Sequence, residues 1–151
     1  MRIDHLAFVT DDLKEARQRL ILLEPARMEP IREVEEQYPE EDALHRYRAL
    51  ALEFDYFDPE IWLMEPIGSA GPLARFLEKN GPGIHFHHLG LRLGERADRD
   101  IYDVVKVLQV RGLSFIREPH RFAQDDEIRA LLNPKGLGGL LIELVEKIVP
   151  R

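Results

Sequence analysis

The chain contains two pairs of segments that resemble each other, and this internal duplication constrains its fold more than any other feature. Residues 3–9, IDHLAFV, resemble residues 86–92, FHHLGLR. Both place a histidine before an alternation of small and apolar residues, and a helical pattern follows each of them. Residues 61–65, IWLME, resemble residues 142–146, IELVE, at nearly the same offset. Because this period is longer than that of the common solenoid repeats, it predicts two half-domains.

Each half is predicted to fold as a strand, a helix and several further strands. Residues 2–9 alternate in polarity as a half-buried strand does, and Asp12 stands three residues before Glu15, as in a capping box at a helix start. The other predicted elements are a strand near 31–37, a hairpin over 46–65 turning at Asp58-Pro59, a helix over 72–79, a strand over 86–93, a helix over 99–111, and strands near 113–117, 127–132 and 139–146. We therefore expect an α+β fold of one domain over 1–151, made of module 1–66, linker 67–83 and module 84–151.

Composition narrows the classes of function. The chain has 28 acidic against 21 basic residues, a formal net charge of −7, so we expect no general affinity for nucleic acid or anionic membranes. The chain has no cysteine, which excludes disulfides, thiolate metal sites and cysteine nucleophiles. It also has no apolar run of about 20 residues and opens without a secretory signal, so a cytoplasmic location is expected.

Strand alternation predicts that His5, His88 and Glu143 share one face of the sheets. Their apolar neighbours in the chain should pack beneath the helices, which directs the three polar side chains the other way. Two imidazoles and a carboxylate suit Zn, Mn, Co or Fe, and without cysteine any metal must bind to such groups. The same pattern also fits buried, hydrogen-bonded strand histidines beside a solvated glutamate.

Three stretches of the chain resemble the vicinal oxygen chelate superfamily (glyoxalases, bleomycin-resistance proteins, extradiol dioxygenases) and, within it, the methylmalonyl-CoA epimerase family. They are residues 3–13, residues 72–81 with the following His87-His88, and residues 133–146. The resemblance covers nearly the whole chain, with low similarity over 20–60 and 94–130. It implies two βαβββ modules whose sheets form a cleft around one divalent metal.

The resemblance also implies a set of metal ligands from which this chain departs. The family's ligands are a histidine on the first strand, a Gln or Glu ending the first half, a second histidine and a final Glu. The corresponding residues of this chain are His5, Trp62, His88 and Glu143, in that order. The indole N–H of Trp62 is only a hydrogen-bond donor and cannot bind a metal. Three outcomes stay open: three protein ligands with an additional water, a substitute carboxylate, or a metal-free site filled by Trp62.

The predicted hairpin suggests which carboxylate would substitute. If Asp58-Pro59 forms a two-residue turn, Asp55 lies opposite Trp62, and cross-strand partners point to the same face. Asp55 and Glu53 would then line the cleft. The alternative is that Asp55 is solvated close to the turn.

The family's activity implies roles for further residues. In an epimerase of this kind a metal stabilises the enolate formed when a carboxylate base removes a Cα proton of an acyl-CoA. Residues 34–37 are similar to the stretch that carries the family's base, which assigns that role to Glu36, and Glu143 is the second candidate for proton transfer. Lys135, in the turn before the last strand, is a candidate for binding a carboxylate or phosphate. Trp62 is a candidate for stacking on the substrate.

Three functions stay open at this point. The first is a metal-dependent epimerase or isomerase acting on a small molecule, an acyl-CoA. The second is a non-catalytic small-molecule-binding protein with an incomplete metal site, as among the bleomycin-resistance proteins. The third is another lyase or dioxygenase of the superfamily, because two histidines and a carboxylate suit Fe(II). Members of the family are commonly homodimers, so we also expect a homodimer.

Overall fold

The structure is a computed structural model that describes residues 1–23, 26–37, 44–94, 99–122 and 126–148. Within these residues the strands are β1 (Arg2–Thr10), β2 (Ala26–Met28), β3 (Arg32–Gln37), β4 (Leu44–Phe54), β5 (Glu60–Pro66), β6 (Ile84–Arg92), β7 (Phe115–Phe122), β8 (Glu127–Leu132) and β9 (Ile142–Lys147). The helices are α1 (Leu13–Leu20), α2 (Pro72–Asn80) and α3 (Ile101–Val110), with a short 3-10 helix over Pro134–Leu137. This confirms the predicted α+β class. None of the helices described is long and apolar enough to cross a membrane.

The chain divides into two compact units. The first contains Met1–His5 and His88–Arg151, and the second contains Leu6–His87. The strands β1 and β6 therefore contribute residues to both.

The first unit is a sheet covered by α3. Its strands follow the order β1, β6, β9, β8 and β7, with β6 parallel to β9 and the later pairs antiparallel. Ile101 and Val105 of α3 are buried against Leu132 and Leu144 of the sheet. These two positions are four residues apart and therefore lie on one face of the helix.

The second unit has the order β2, β4, β5 and β1, and β3 also pairs with β4. Its core joins Leu13 and Ala16 of α1 to Leu52 and Leu63 of the sheet. Leu6 and Phe8 of β1 pack against this core, as alternation predicted, while Ala7 and Val9 belong to a separate cluster with Met64.

The duplication extends to the start of the helix in each unit. The N-cap Asp12 accepts a hydrogen bond from the Glu15 backbone N–H (2.9 Å), which confirms the predicted cap. Before α3, Asp100 accepts one from the Asp103 backbone N–H in the same way (3.0 Å). A side-chain oxygen thus satisfies one of the unpaired N–H groups in the first turn of each helix.

In each unit, a glutamate from one of the repeated segments also accepts a hydrogen bond from the backbone N–H of the first helical residue. In the second unit Glu65 accepts a hydrogen bond from the Leu13 backbone N–H (2.8 Å). In the first unit Glu146, which holds the equivalent place in the other repeat, accepts one from the Ile101 backbone N–H (3.0 Å). Each carboxylate places negative charge at the positive end of the helix dipole.

The hairpin between β4 and β5 has a register different from the predicted one. Ala51, not Asp55, pairs with Trp62, and the connection between the strands covers residues 55–59. The two-residue turn would have placed Leu52 opposite Glu65, whereas the observed register pairs Leu52 with Ile61 inside the core. Apolar cross-strand pairing therefore determines the register. Asp55 is exposed in the connection, as the alternative reading of that residue expected.

We expect Glu65→Gln and Glu146→Gln to lower the free energy of unfolding by about 0.3–1 kcal/mol each, the usual value of a charge at a helix terminus. Urea titrations would measure both, and Glu29→Gln, at an exposed carboxylate before β3, is the control. If both variants are as stable as the control variant, these glutamates do not stabilise their helices.

Candidate metal centre

The first unit brings His5, His88 and Glu143 together, as strand alternation predicted. The Nε2 atoms of the two imidazoles are 3.0 Å apart. The Oε2 atom of Glu143 lies 3.4 Å from Nε2 of His5 and 3.5 Å from Nε2 of His88. The three residues are only 0%, 6% and 7% exposed, respectively. The alternative of a solvated Glu143 is therefore wrong.

Adjacent strands position the three side chains. His5 lies on β1, His88 on β6 and Glu143 on β9, and these strands are neighbours in the sheet of the first unit. Ile142 and Leu144, on either side of Glu143, pack in the apolar core beneath α3. Because successive side chains of a strand alternate between faces, Glu143 points away from that core and towards the imidazoles.

The donor atoms fit a divalent cation. Ligands bound at about 2.1 Å lie about 3.0 to 3.4 Å from each other in octahedral or tetrahedral arrangements. The three observed separations, 3.0, 3.4 and 3.5 Å, are close to this range. Moreover, Oε2 of Glu143 is buried and accepts no well-formed hydrogen bond from the described residues. A buried oxygen of this kind is costly unless a cation or a donor compensates it.

The electrostatics of the group follow from burial and from its neighbours. Burial opposes the ionised form of Glu143, but the imidazoles of His5 and His88 beside it and the charge of Arg129 outweigh this effect and hold the pKa of this carboxyl well below its ordinary value. Burial likewise opposes the protonated form of His5. The carboxylates of Asp4 and Glu143 outweigh this effect and raise the pKa of His5.

A buried ion-pair network lies behind His5, and sequence reasoning missed it. Asp4 accepts a hydrogen bond from Nδ1 of His5 (2.9 Å) and forms an ion pair with Arg92. Oε1 of Glu127 lies 3.9 Å from Nη2 of Arg92. Oε2 of Glu127 accepts a hydrogen bond from Nη2 of Arg129 (2.8 Å). The available signals were the position of Asp4 next to His5, the β6 face that Arg92 shares with His88, and the alternation of Glu127 and Arg129 along β8.

The ring of His5 occupies space that a glycine leaves free. A Cβ atom at position 90 would overlap Cε1 and Nδ1 of His5. Gly90 stands between His88 and Arg92 on the same face of β6. Only a residue without a side chain allows His5 to approach β6 so closely.

The other predicted site residues lie outside this group. Glu36, on β3, accepts a hydrogen bond from the Tyr47 hydroxyl (2.9 Å), and Trp62 donates one from its indole N–H to Glu60 (2.8 Å). Lys135 is exposed in the 3-10 helix, and Asn133 accepts a hydrogen bond from its backbone N–H. Among the described residues, the group of possible metal ligands consists of His5, His88 and Glu143. Asp55 and Glu53, the predicted substitutes, are exposed residues of the second unit.

We expect Gly90→Ala to weaken Co(II) binding by more than 10-fold, because the added methyl group would displace the His5 ring. The overpacking should also lower the free energy of unfolding by about 1–3 kcal/mol. Isothermal titration calorimetry would measure the affinity, with Gly94→Ala as the matched control, since its Cβ would meet no atom within 4 Å. If Gly90→Ala binds Co(II) with the affinity of the wild type, the position of the His5 ring does not determine metal binding.

The raised pKa of His5 predicts a pH-dependent stability for the metal-free protein. Because the folded state holds the His5 proton more tightly than the unfolded chain does, this contribution is fully present below the ordinary value of 6.5. It is lost as pH rises through the raised pKa. We therefore expect the free energy of unfolding, measured with chelator present, to decline less steeply over this window in His5→Gln than in the wild type. If the unfolding free energies of the wild type and His5→Gln decline equally over this window, the pKa of His5 is not raised in the folded state.

Comparisons with known proteins identify similar sequences and structures. No protein-family model matches the chain. The mitochondrial methylmalonyl-CoA epimerase of Dictyostelium discoideum is 26% identical over 147 residues, which cover 97% of this chain and 78% of the relative. Methylmalonyl-CoA epimerase from Mycobacterium tuberculosis has a similar structure, with a TM-score of 0.74, 24% identity, and coverage of 98% of this chain and 89% of that one.

A third similar protein is a variant of the Streptomyces coelicolor methylmalonyl-CoA epimerase in complex with 2-nitronate-propionyl-CoA. Its TM-score is 0.71 at 20% identity, with 99% of each chain covered. At such low identity the two structures establish the fold. The chain therefore has the fold of the methylmalonyl-CoA epimerases and resembles one of them in sequence over nearly its whole length.

Proposed function

We propose that this chain is a metal-dependent epimerase or isomerase of an acyl-CoA, similar to methylmalonyl-CoA epimerase. The observation that carries the proposal is the buried group of His5, His88 and Glu143, whose donor atoms are spaced as ligands of one cation. The sequence likeness to the Dictyostelium epimerase supports the reaction class. The Streptomyces complex supports an acyl-CoA as the class of ligand.

The donor set is suitable for Co, Mn, Zn or Fe as the divalent metal. A cation held there would supply a Lewis acid that stabilises negative charge on a substrate carbonyl oxygen. The chain itself supplies two neutral donors, His5 and His88, and one anionic donor, Glu143. Their burial excludes bulk water and so strengthens each electrostatic interaction within the group.

Two carboxylates are proposed to move the Cα proton. Glu36 would act as the base, and the hydroxyl of Tyr47 orients its carboxylate through a hydrogen bond of 2.9 Å. Glu143 is ionised at neutral pH, because its pKa is held low, and would serve as the second proton-transfer group as well as a ligand. A base on each side of the Cα atom is what inversion at that carbon requires.

Two further residues are proposed to bind substrate. Lys135 is exposed, and its ammonium group is suited to a phosphate or carboxylate of the acyl-CoA. Trp62 is half-buried and donates a hydrogen bond to Glu60, and its ring would stack on a planar group of the substrate. A homodimer and a cytoplasmic location stay predictions from the sequence.

One observation favours a second function, a non-catalytic small-molecule-binding protein. Trp62 stands where the family has a metal ligand, and its indole N–H already donates a hydrogen bond to Glu60. The described residues therefore offer three protein ligands where the family pattern has four. Metal content and proton exchange distinguish this function from the first.

Metal analysis and isotope exchange test the proposal together. We expect about one equivalent of a divalent metal per chain, and deuterium at Cα of methylmalonyl-CoA after incubation in D₂O. His5→Ala should lose both. Glu36→Gln should keep the metal and slow the exchange by about 100-fold or more, the usual contribution of a general base.

Glu35→Gln is the matched control for Glu36→Gln, because Glu35 is the neighbouring exposed glutamate of β3 and forms an ion pair with Arg46 (3.0 Å). It should exchange deuterium at the wild-type rate. A chain that binds no metal at millimolar supply would overturn the enzymatic proposal in favour of the binding protein. A metal-loaded chain that exchanges no deuterium but consumes O₂ with catechol-like substrates would be a dioxygenase.

A further inference from the structure

We propose that Asp4 is a positioning residue that determines the tautomer and ring orientation of His5, and that Arg92 holds Asp4 in place for this purpose. The inference rests on the proposed function, because it concerns the same metal centre. It assigns a role to two residues that are not themselves candidate ligands.

The contact between Asp4 and His5 determines which ring nitrogen carries the proton. Oδ2 of Asp4 lies 2.9 Å from Nδ1 of His5, and the Asp4 side chain is only 6% exposed. An ionised carboxylate can only accept, so Nδ1–H of the imidazole donates. In the neutral ring the lone pair is then on Nε2, the atom that lies 3.0 Å from Nε2 of His88 and 3.4 Å from Oε2 of Glu143.

The other tautomer would oppose metal binding. With its proton on Nε2, the His5 ring would direct an N–H group at the place where a cation would be, and no lone pair would be available there. Gly90 already limits where the ring can lie, since a Cβ at that position would overlap it. Gly90 thus sets the position of the ring, and the hydrogen bond to Asp4 sets its tautomer.

Arg92 and its partners keep the Asp4 carboxylate in place. Arg92 forms an ion pair with Asp4 and lies 3.9 Å from Glu127, which is itself bound by Arg129. Two arginines thus compensate the charges of Asp4 and Glu127.

The test has two readouts that do not depend on catalysis. The first is the affinity for Co(II), measured by calorimetry, which we expect to fall 10- to 100-fold in Asp4→Ala, as is usual when a group behind a metal-bound histidine is removed. The Co(II) affinity of Asp4→Asn should lie between those of the wild type and Asp4→Ala, because the amide oxygen can accept the same hydrogen bond without the charge. Asp11→Ala is the matched control, since Asp11 is a carboxylate in the second unit that accepts a hydrogen bond from the Gly83 backbone N–H.

The second readout is the His5 tautomer in the metal-free protein. Two-bond ¹H–¹⁵N spectra of histidine-labelled protein, recorded where the imidazoles are neutral, should show the proton on Nδ1 of His5. His5→Gln identifies the signal. In Asp4→Ala we expect this preference to be lost, whereas Asp11→Ala should keep it. A loss of fold in Asp4→Ala would show in thermal unfolding, and Asp4→Asn then serves for both readouts.

The outcomes separate this inference from the proposed function. If Asp4→Ala binds Co(II) as the wild type does and keeps the His5 tautomer, the inference is overturned while the metal centre stands. If Asp4→Ala weakens Co(II) binding but keeps the wild-type tautomer of His5, Asp4 does not act through that tautomer, and the inference is again overturned. If the wild type binds no Co(II), the proposed function fails, and the tautomer of His5 still decides the role of Asp4.

Discussion

The candidate centre depends on one constraint, which is that three neighbouring strands present polar side chains on the same face of a sheet. His5, His88 and Glu143 come from β1, β6 and β9, and each alternates with apolar residues that pack elsewhere. Burying these groups is unfavourable unless each finds a partner. The hydrogen bond from His5 to Asp4, and the short distances among the three donor atoms, satisfy that requirement in part. A cation would compensate the Glu143 carboxylate, whose Oε2 atom is buried.

The duplicated segments have diverged at the position that matters most for this chemistry. Glu143 and Trp62 are equivalent in the repeat, yet the glutamate faces two imidazoles while the tryptophan packs near Ala7, Val9 and Met64. The equivalent glutamates Glu65 and Glu146 have instead kept the same structural role at the start of a helix. Both copies therefore keep the hydrogen bond between helix and strand, and one copy has a tryptophan where the other has a candidate metal ligand.

Most of the local structure could be predicted from the sequence, because it depends on short-range rules. The cap at Asp12, the buried face of α3 and the division of β1 into two faces follow from polarity and spacing over a few residues. The register of the β4–β5 hairpin could not be predicted from its turn residues. It depends on which aliphatic side chains meet across the strands. The predicted and observed partners of Leu52 are four residues apart, and such an even shift leaves every side chain on the same face of the sheet.

The sequence by itself determined which residues could bind a metal. The repeat and the strand alternation single out His5, His88 and Glu143, and the absence of cysteine leaves only imidazole and carboxylate as ligands. Only the tertiary structure decided how these ligands are held. The contacts of Asp4 with Arg92, and of Gly90 with the His5 ring, join residues of β1 to residues of β6. Pairing of distant strands creates them, and no spacing rule within either segment contains that information.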